Sequence, residues 1–292
     1  MVVKLKGENR IKKFKRAAER LASNISSREG VTGIVFIGGL VRGFADKFSD
    51  LDIIVFLDRR DEQLRRQIYN MGLDEEKLSG IEIDLEIHFL EDFKKWKWDE
   101  VDKWEFNNSK IVFDSEGEIK KLFREKLRLP RNFWTKRIVA CAEYLKWYCC
   151  PTREDIGTVA ESWIERGDLT AAHYCLNYAV DLLIRIIFAL NREFLPAPKW
   201  RIFYSYSLNW LPKGYNELIK EAMSLRSFSV RNFNKRLEAI RKLWQEIVPK
   251  IKEETGLTAD LISKYYVEEI LRLGSRIPSK EAEPKTDSSK HA

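Results

Sequence analysis

Only four of the 292 residues are cysteine (Cys141, Cys149, Cys150 and Cys175), and no two of them form a Cys-x-x-Cys pair. The three histidines are scattered along the chain. That scarcity excludes a zinc knuckle and a secreted disulfide framework, and it predicts buried thiols in a reducing, cytoplasmic setting. The opening stretch MVVKLKGENRIKKFKRAAERL lacks an apolar core of signal-peptide length, so nothing in it directs the chain to a membrane. Long apolar runs are missing apart from Leu169 to Leu190. That run carries His173, Asn177, Asp181 and Arg185, each costly in lipid, so it reads as a buried helix of a soluble protein with no membrane partner. No internal repeat is visible. Charge of one sign is also modest: 52 Lys and Arg against 45 Asp and Glu leave +7, which allows a polyanionic ligand without demanding one.

The chain is long enough to hold one large domain or two ordinary ones. Apolar positions Ile11, Phe14, Ala18 and Leu21 recur at helical spacing and predict an amphipathic helix over 8–24. Its lysines and arginine at 12, 13, 15 and 16 form a solvated basic face. Short β-branched or alternating runs predict strands at 31–37, 51–57, 81–90 and 110–113, and the last of these is followed by a helix over 116–127. After Pro130 the pattern turns helical, over 131–149, 153–166, 168–191, 214–226, 230–254 and 257–273. The expected organisation is therefore an α/β domain over 1–129, a helical bundle over 130–273 and a disordered polar tail over 274–292.

One stretch concentrates chemistry. Residues 36–57 read FIGGLVRGFADKFSDLDIIVFL, with Gly38-Gly39 closing one strand and Asp50-Leu51-Asp52 opening the next. Paired glycines allow backbone dihedrals and close approaches that side chains forbid, and free N–H groups there suit phosphate oxygens. Asp50 and Asp52 alternate along a strand and leave the same face, while Leu51, Ile53 and Val55 point to the other. Two carboxylates so close repel unless a divalent cation lies between them, and hard oxygen donors on a rigid strand suit Mg²⁺.

This spacing resembles the signature of the DNA polymerase beta-like nucleotidyltransferase superfamily: a Gly-Gly or Gly-Ser turn, a helix, then Asp-x-Asp or Asp-x-Glu on the following strand. Arg42-Gly43 and Ser49 look like its minimal and antibiotic-modifying branches. The resemblance implies an α+β fold, in which a mixed-sheet nucleotidyltransferase domain precedes a C-terminal helical bundle. It implies that Gly38, Gly39, Arg42 and Ser49 bind a nucleoside triphosphate, that Asp50 and Asp52 hold magnesium, and that a third acid comes from a later strand. Asp84 in Ile83-Asp84-Leu85 is the first choice for that acid and Glu86 the second. Two metal ions would then orient a hydroxyl acceptor toward the α-phosphorus. Gly39 departs from the serine of many members. Gly-Gly-x-Val-Arg is also similar to CCA-adding and poly(A) polymerases, whose later template-like signature has no counterpart here.

In the helical half, His173, Asn177, Asp181 and Arg185 recur every four residues, a polar stripe that suits either a wet cleft or a mutually paired seam. The stretch from Leu190 to Trp200 looks like the helical domain attached to a group of nucleotidyltransferase-like proteins related in layout to the kanamycin and lincosamide nucleotidyltransferases. That likeness implies that Lys199 reaches the triphosphate and that the bundle walls the acceptor site. Trp96, Trp98, Trp104 and Phe106 either stack bases or pack the domain. The expected activity is transfer of a nucleoside monophosphate, AMP from ATP, to a hydroxyl of a small molecule. RNA or protein acceptors rank second, and the rival reading from another class is a non-enzymatic nucleotide- or RNA-binding module.

Overall fold

The computed structural model describes residues 5–151, 157–258 and 261–263. The chain divides into two compact units, Met1–Phe133 with Asn191–Asn209, and Trp134–Leu190 with Trp210–Ala292. Residues 191–209, expected within the helical domain, thus join the first unit. Most of the helix expected over 257–273, and all of the tail over 274–292, lie outside the described residues.

The first unit is a four-stranded mixed sheet of order β3-β2-β1-β4, as the α+β reading requires. Strand β1 (Val31–Phe36) pairs antiparallel with both β2 (Leu51–Leu57) and β4 (Lys110–Asp114). Parallel pairing of β2 with β3 (Ile83–Phe89) puts Asp52 opposite Asp84 and Ile54 opposite Glu86. A parallel pair needs a crossover, here helix α3 (Glu62–Ser79), whose N-cap Asp61 accepts from the Leu64 N–H at 2.9 Å. The strand pattern did not disclose this helix, because its apolar positions are diluted by charge.

Alternation divides β1 and β2 between two cores. Ile34, Leu51, Ile53, Val55 and Leu57 pack with Phe14, Leu21 and Ile25 of helix α1 (Ile11–Ser26) and with Ile68 of α3. Val35, Ile54 and Phe56 face the other way. They pack with Phe93 of α4 (Leu90–Lys95), Phe106 of α5 (Glu100–Asn107) and Ile119, Leu122 and Phe123 of α6 (Glu118–Lys126). Each such buried side chain contributes about 1.5–3 kcal/mol. Trp98 belongs to this second core and stacks on Phe106 with ring centroids 4.2 Å apart, so its role is packing. In β2 only Asp52 escapes full burial, which sets a carboxylate at the end of an otherwise apolar strand.

In the second unit, helix α9 (Leu169–Leu190) is long and apolar enough to cross a membrane, but two-thirds of its most apolar window is buried inside the protein. Around it stand α7 (Phe133–Tyr148), α8 (Val159–Glu165), α11 (Tyr215–Met223) and α12 (Val230–Thr255). The polar stripe is a paired seam. Arg236, fully buried on α12, donates to Nδ1 of His173 at 2.8 Å, to Oδ1 of Asn177 at 2.6 Å and to the Ala222 carbonyl at 2.7 Å. Asp181 pairs with Arg185 at 2.7 Å.

Candidate active site

Strand β1 ends where Gly38 takes a left-handed φ of 69°, opening the short helix α2 (Gly38–Arg42). The reversal delivers the chain, through a turn, to Asp50 and Asp52 at the head of β2. Within that turn the Ser49 hydroxyl is engaged with Asp46, donating to its carboxylate at 3.2 Å and accepting its N–H at 3.0 Å. Ser49 therefore shapes the turn immediately before Asp50. A Cβ on Gly39 would stand 2.7 Å from the Phe44 carbonyl oxygen, so the close packing of this turn accounts for glycine where serine is common.

The parallel register brings Asp84 beside Asp52. Carboxylate oxygens of Asp50, Asp52 and Asp84 lie within 4.8 Å of one another. Glu86, one step further along the same face, bonds to Nε2 of His88 at 2.9 Å, and that bond holds its carboxyl below the usual range. Burial pushes the Asp52 carboxyl up to about 6, with further upward pressure from Asp50, Glu105 and Asp84 and a downward pull from Arg42. Asp84 is raised by burial first, then by Glu86 and Asp50. Mutual repulsion among three hard oxygen donors fits a divalent cation, whose charge would convert that repulsion into attraction.

Arg42, at the end of α2, is nearly buried. Its Nη1 donates to Oε1 of Glu105 at 2.8 Å, and its guanidinium lies over the rings of Trp104 (5.1 Å to the centroid) and Trp200 (5.6 Å). The same Glu105 oxygen accepts the Gly38 N–H at 2.8 Å. Helix α5 holds Trp104 and Glu105 in place through a capping box in which Asp99 and Asp102 each accept the other's backbone N–H at 2.9 Å. Nothing in the local pattern around Glu105 distinguishes it from a solvated helix acid. Its only sequence signal is the neighbouring Trp104.

Residues 191–209 complete this region of the first unit. Glu100 of α5 accepts the Leu195 N–H at 2.7 Å, and Trp104 meets Tyr204 of helix α10 (Pro198–Ser205) edge-on at 5.2 Å. Lys199 is exposed on α10, its ammonium 5.9 Å from the Trp200 ring that also faces Arg42. The structure thus gathers Gly38, Gly39, Arg42 and the three aspartates around one turn. Glu86 points its charge at His88, and Ser49 points its hydroxyl at Asp46.

Residues 15–129 match the family described as nucleotidyltransferase domain. Residues 98–201 match a domain of unknown function, DUF4037, a span that contains Glu105, Lys199 and Trp200. No curated protein matches the chain. Among solved structures the chain is similar to a nucleotidyltransferase-like protein from Exiguobacterium sibiricum 255-15. The identity is 12%, 89% of this chain and 80% of that chain are covered, and the TM-score is 0.42.

Proposed function

We infer that this chain, whose residues 15–129 match the nucleotidyltransferase domain family, is a transferase that moves a nucleoside monophosphate from a triphosphate to a hydroxyl acceptor. The donor we propose is ATP, the metal Mg²⁺, the setting cytoplasmic, and the acceptor a small molecule in preference to RNA or protein. The observation that carries this reading is the convergence of Asp50, Asp52 and Asp84 from two adjacent strands beside the glycine turn.

Asp50 and Asp52 would hold the metal, with Asp84 completing its ligands or accepting the proton of the attacking hydroxyl. When bound, the metal neutralises the triphosphate oxygens and the departing pyrophosphate. The Gly38 N–H, which donates to Glu105 in this structure, is a donor that a phosphate oxygen could accept in its place. Arg42, its guanidinium over the rings of Trp104 and Trp200, supplies a fixed cation at the same turn. Lys199 extends the positive charge outward as a mobile ammonium suited to the outer phosphates.

Calorimetric titration with ATP, CTP, GTP and UTP in Mg²⁺, on the native protein and on Asp50→Asn/Asp52→Asn, tests the reading. Metal-dependent binding of a nucleotide, lost in the double variant, is the expected result. A screen with α-labelled nucleotide then separates small-molecule, RNA and protein acceptors. Binding that survives the double variant would overturn the metal assignment.

A further inference from the structure

The glycine turn already holds an anion. Both cationic or N–H groups that it presents at 2.8 Å, the Gly38 amide and Nη1 of Arg42, converge on one oxygen of Glu105. Backbone N–H and guanidinium are the donors by which proteins recognise phosphate oxygens, and a carboxylate oxygen satisfies them in the same way. The two partners differ in freedom. Arg42 is fixed between Trp104 and Trp200, its side chain is 12% exposed, and its Nε is buried without a hydrogen-bond partner. Glu105 is 25% exposed at the surface of α5, and its flexible side chain can swing toward solvent without moving the helix. It also adds a fourth negative charge beside Asp50, Asp52 and Asp84, so the pocket repels any anion that arrives alone.

We propose that Glu105 is a resident stand-in for a triphosphate oxygen, and that nucleotide binds by exchanging its phosphate for the Glu105 carboxylate on Gly38 and Arg42. This rests on the nucleotidyltransferase reading and deepens it. A ligand that displaces Glu105 must replace its charge-assisted bonds and bring a divalent cation to offset the aspartates. The site then selects metal-bound polyphosphates and rejects inorganic phosphate and nucleoside monophosphates. Only the fraction of molecules with Glu105 withdrawn is competent, so apparent affinity is reduced by that fraction.

The test uses the full chain, with Mg²⁺ and inorganic tripolyphosphate as the probe and the four nucleoside triphosphates in parallel, titrated by calorimetry. Glu105→Gln keeps the shape and removes the charge. It is expected to bind tripolyphosphate and the preferred nucleotide about tenfold more tightly than the native protein. Glu105→Asp keeps the charge but shortens the reach by one methylene, and it should tighten binding by a smaller factor. It also guards against failure of the glutamine variant to fold. Weaker or unchanged binding in both variants would mean that Glu105 only braces the turn, overturning the proposal while leaving the nucleotidyltransferase reading intact. If neither native nor variant protein binds tripolyphosphate or any nucleotide, the nucleotidyltransferase reading falls, and the proposal with it.

Discussion

Gly38 and Asp52 are fitted so closely that no side chain can stand at position 38: a Cβ there would overlap the Asp52 carboxylate. The left-handed φ of 69° adds a backbone penalty for any other residue. Gly38→Ala is therefore expected to displace Asp52 from the acid cluster and to abolish Mg²⁺-dependent nucleotide binding. Its stability cost should be about 1–3 kcal/mol, from strain in a sparsely populated conformation. Thermal melts combined with nucleotide titration check this. A variant that binds nucleotide like the native protein would mean the turn is not a phosphate seat.

The acid cluster is a site where function opposes stability. The Asp52 carboxyl has its ordinary value at 3.8 and is pushed up to about 6 in the fold, mainly by burial. A raised carboxyl stabilises the native state fully below 3.8, and that contribution is lost as pH rises through about 6. At pH 7.5, then, the ionised Asp52 burdens the metal-free protein by at most about 3 kcal/mol, less after solvent screening. Asp52→Asn should raise the melting temperature of metal-free protein at pH 7.5, with the gain shrinking toward pH 4. Added Mg²⁺ should stabilise the native protein and leave the variant unmoved. An unchanged or lower melting temperature for the variant at pH 7.5 would contradict this account of the cluster.

Register decides between the two candidate third acids. Asp84 stands opposite Asp52, whereas Glu86 stands opposite Ile54 and is spent on His88. Asp84→Asn should lower transfer, measured with α-labelled nucleotide, by at least about a hundredfold, the scale of a lost general base or metal ligand. Glu86→Gln should retain most of it. The reverse pattern would move the chemistry one step along β3.

How far the sequence discloses this arrangement depends on the distance over which each signal acts. Gly38, Asp50 and Asp52 are legible because a turn and a strand of fixed length hold them within fifteen residues. Alternation in 83–89 marks a strand carrying Asp84, Glu86 and His88 on one face, but alternation is silent on register, and register is what selects Asp84. Glu105 carries no sequence signal of its own because its role depends on α5 packing against the glycine turn. Residues 191–209 follow a helix of the second unit and read as part of it, yet Glu100 and Trp104 draw them into the first. Those are tertiary contacts with no local pattern. Helix α3 leaves no clear apolar stripe for a different reason: its buried positions, Leu64, Ile68, Gly72 and Glu75, include a glycine and a carboxylate.

The seam of the second unit yields a prediction about acid. His173 accepts a bond from the guanidinium of Arg236, contacts the Asn177 amide and lies against Phe228 and Phe233. Burial, then Arg236, holds its imidazole below the ordinary value of 6.5. A protonated ring would turn an N–H toward a guanidinium that already donates, and would place a second cation beside a buried one. The native state therefore refuses a proton that the unfolded chain accepts as pH falls below 6.5, and stability declines over that window. His173→Gln should cost stability at pH 7.5, because Arg236 loses its nitrogen acceptor. It should also flatten the fall in melting temperature between pH 6.5 and pH 5 relative to the native protein. Melts across that range check both effects, and equal slopes in variant and native protein would show that His173 does not govern the acid response.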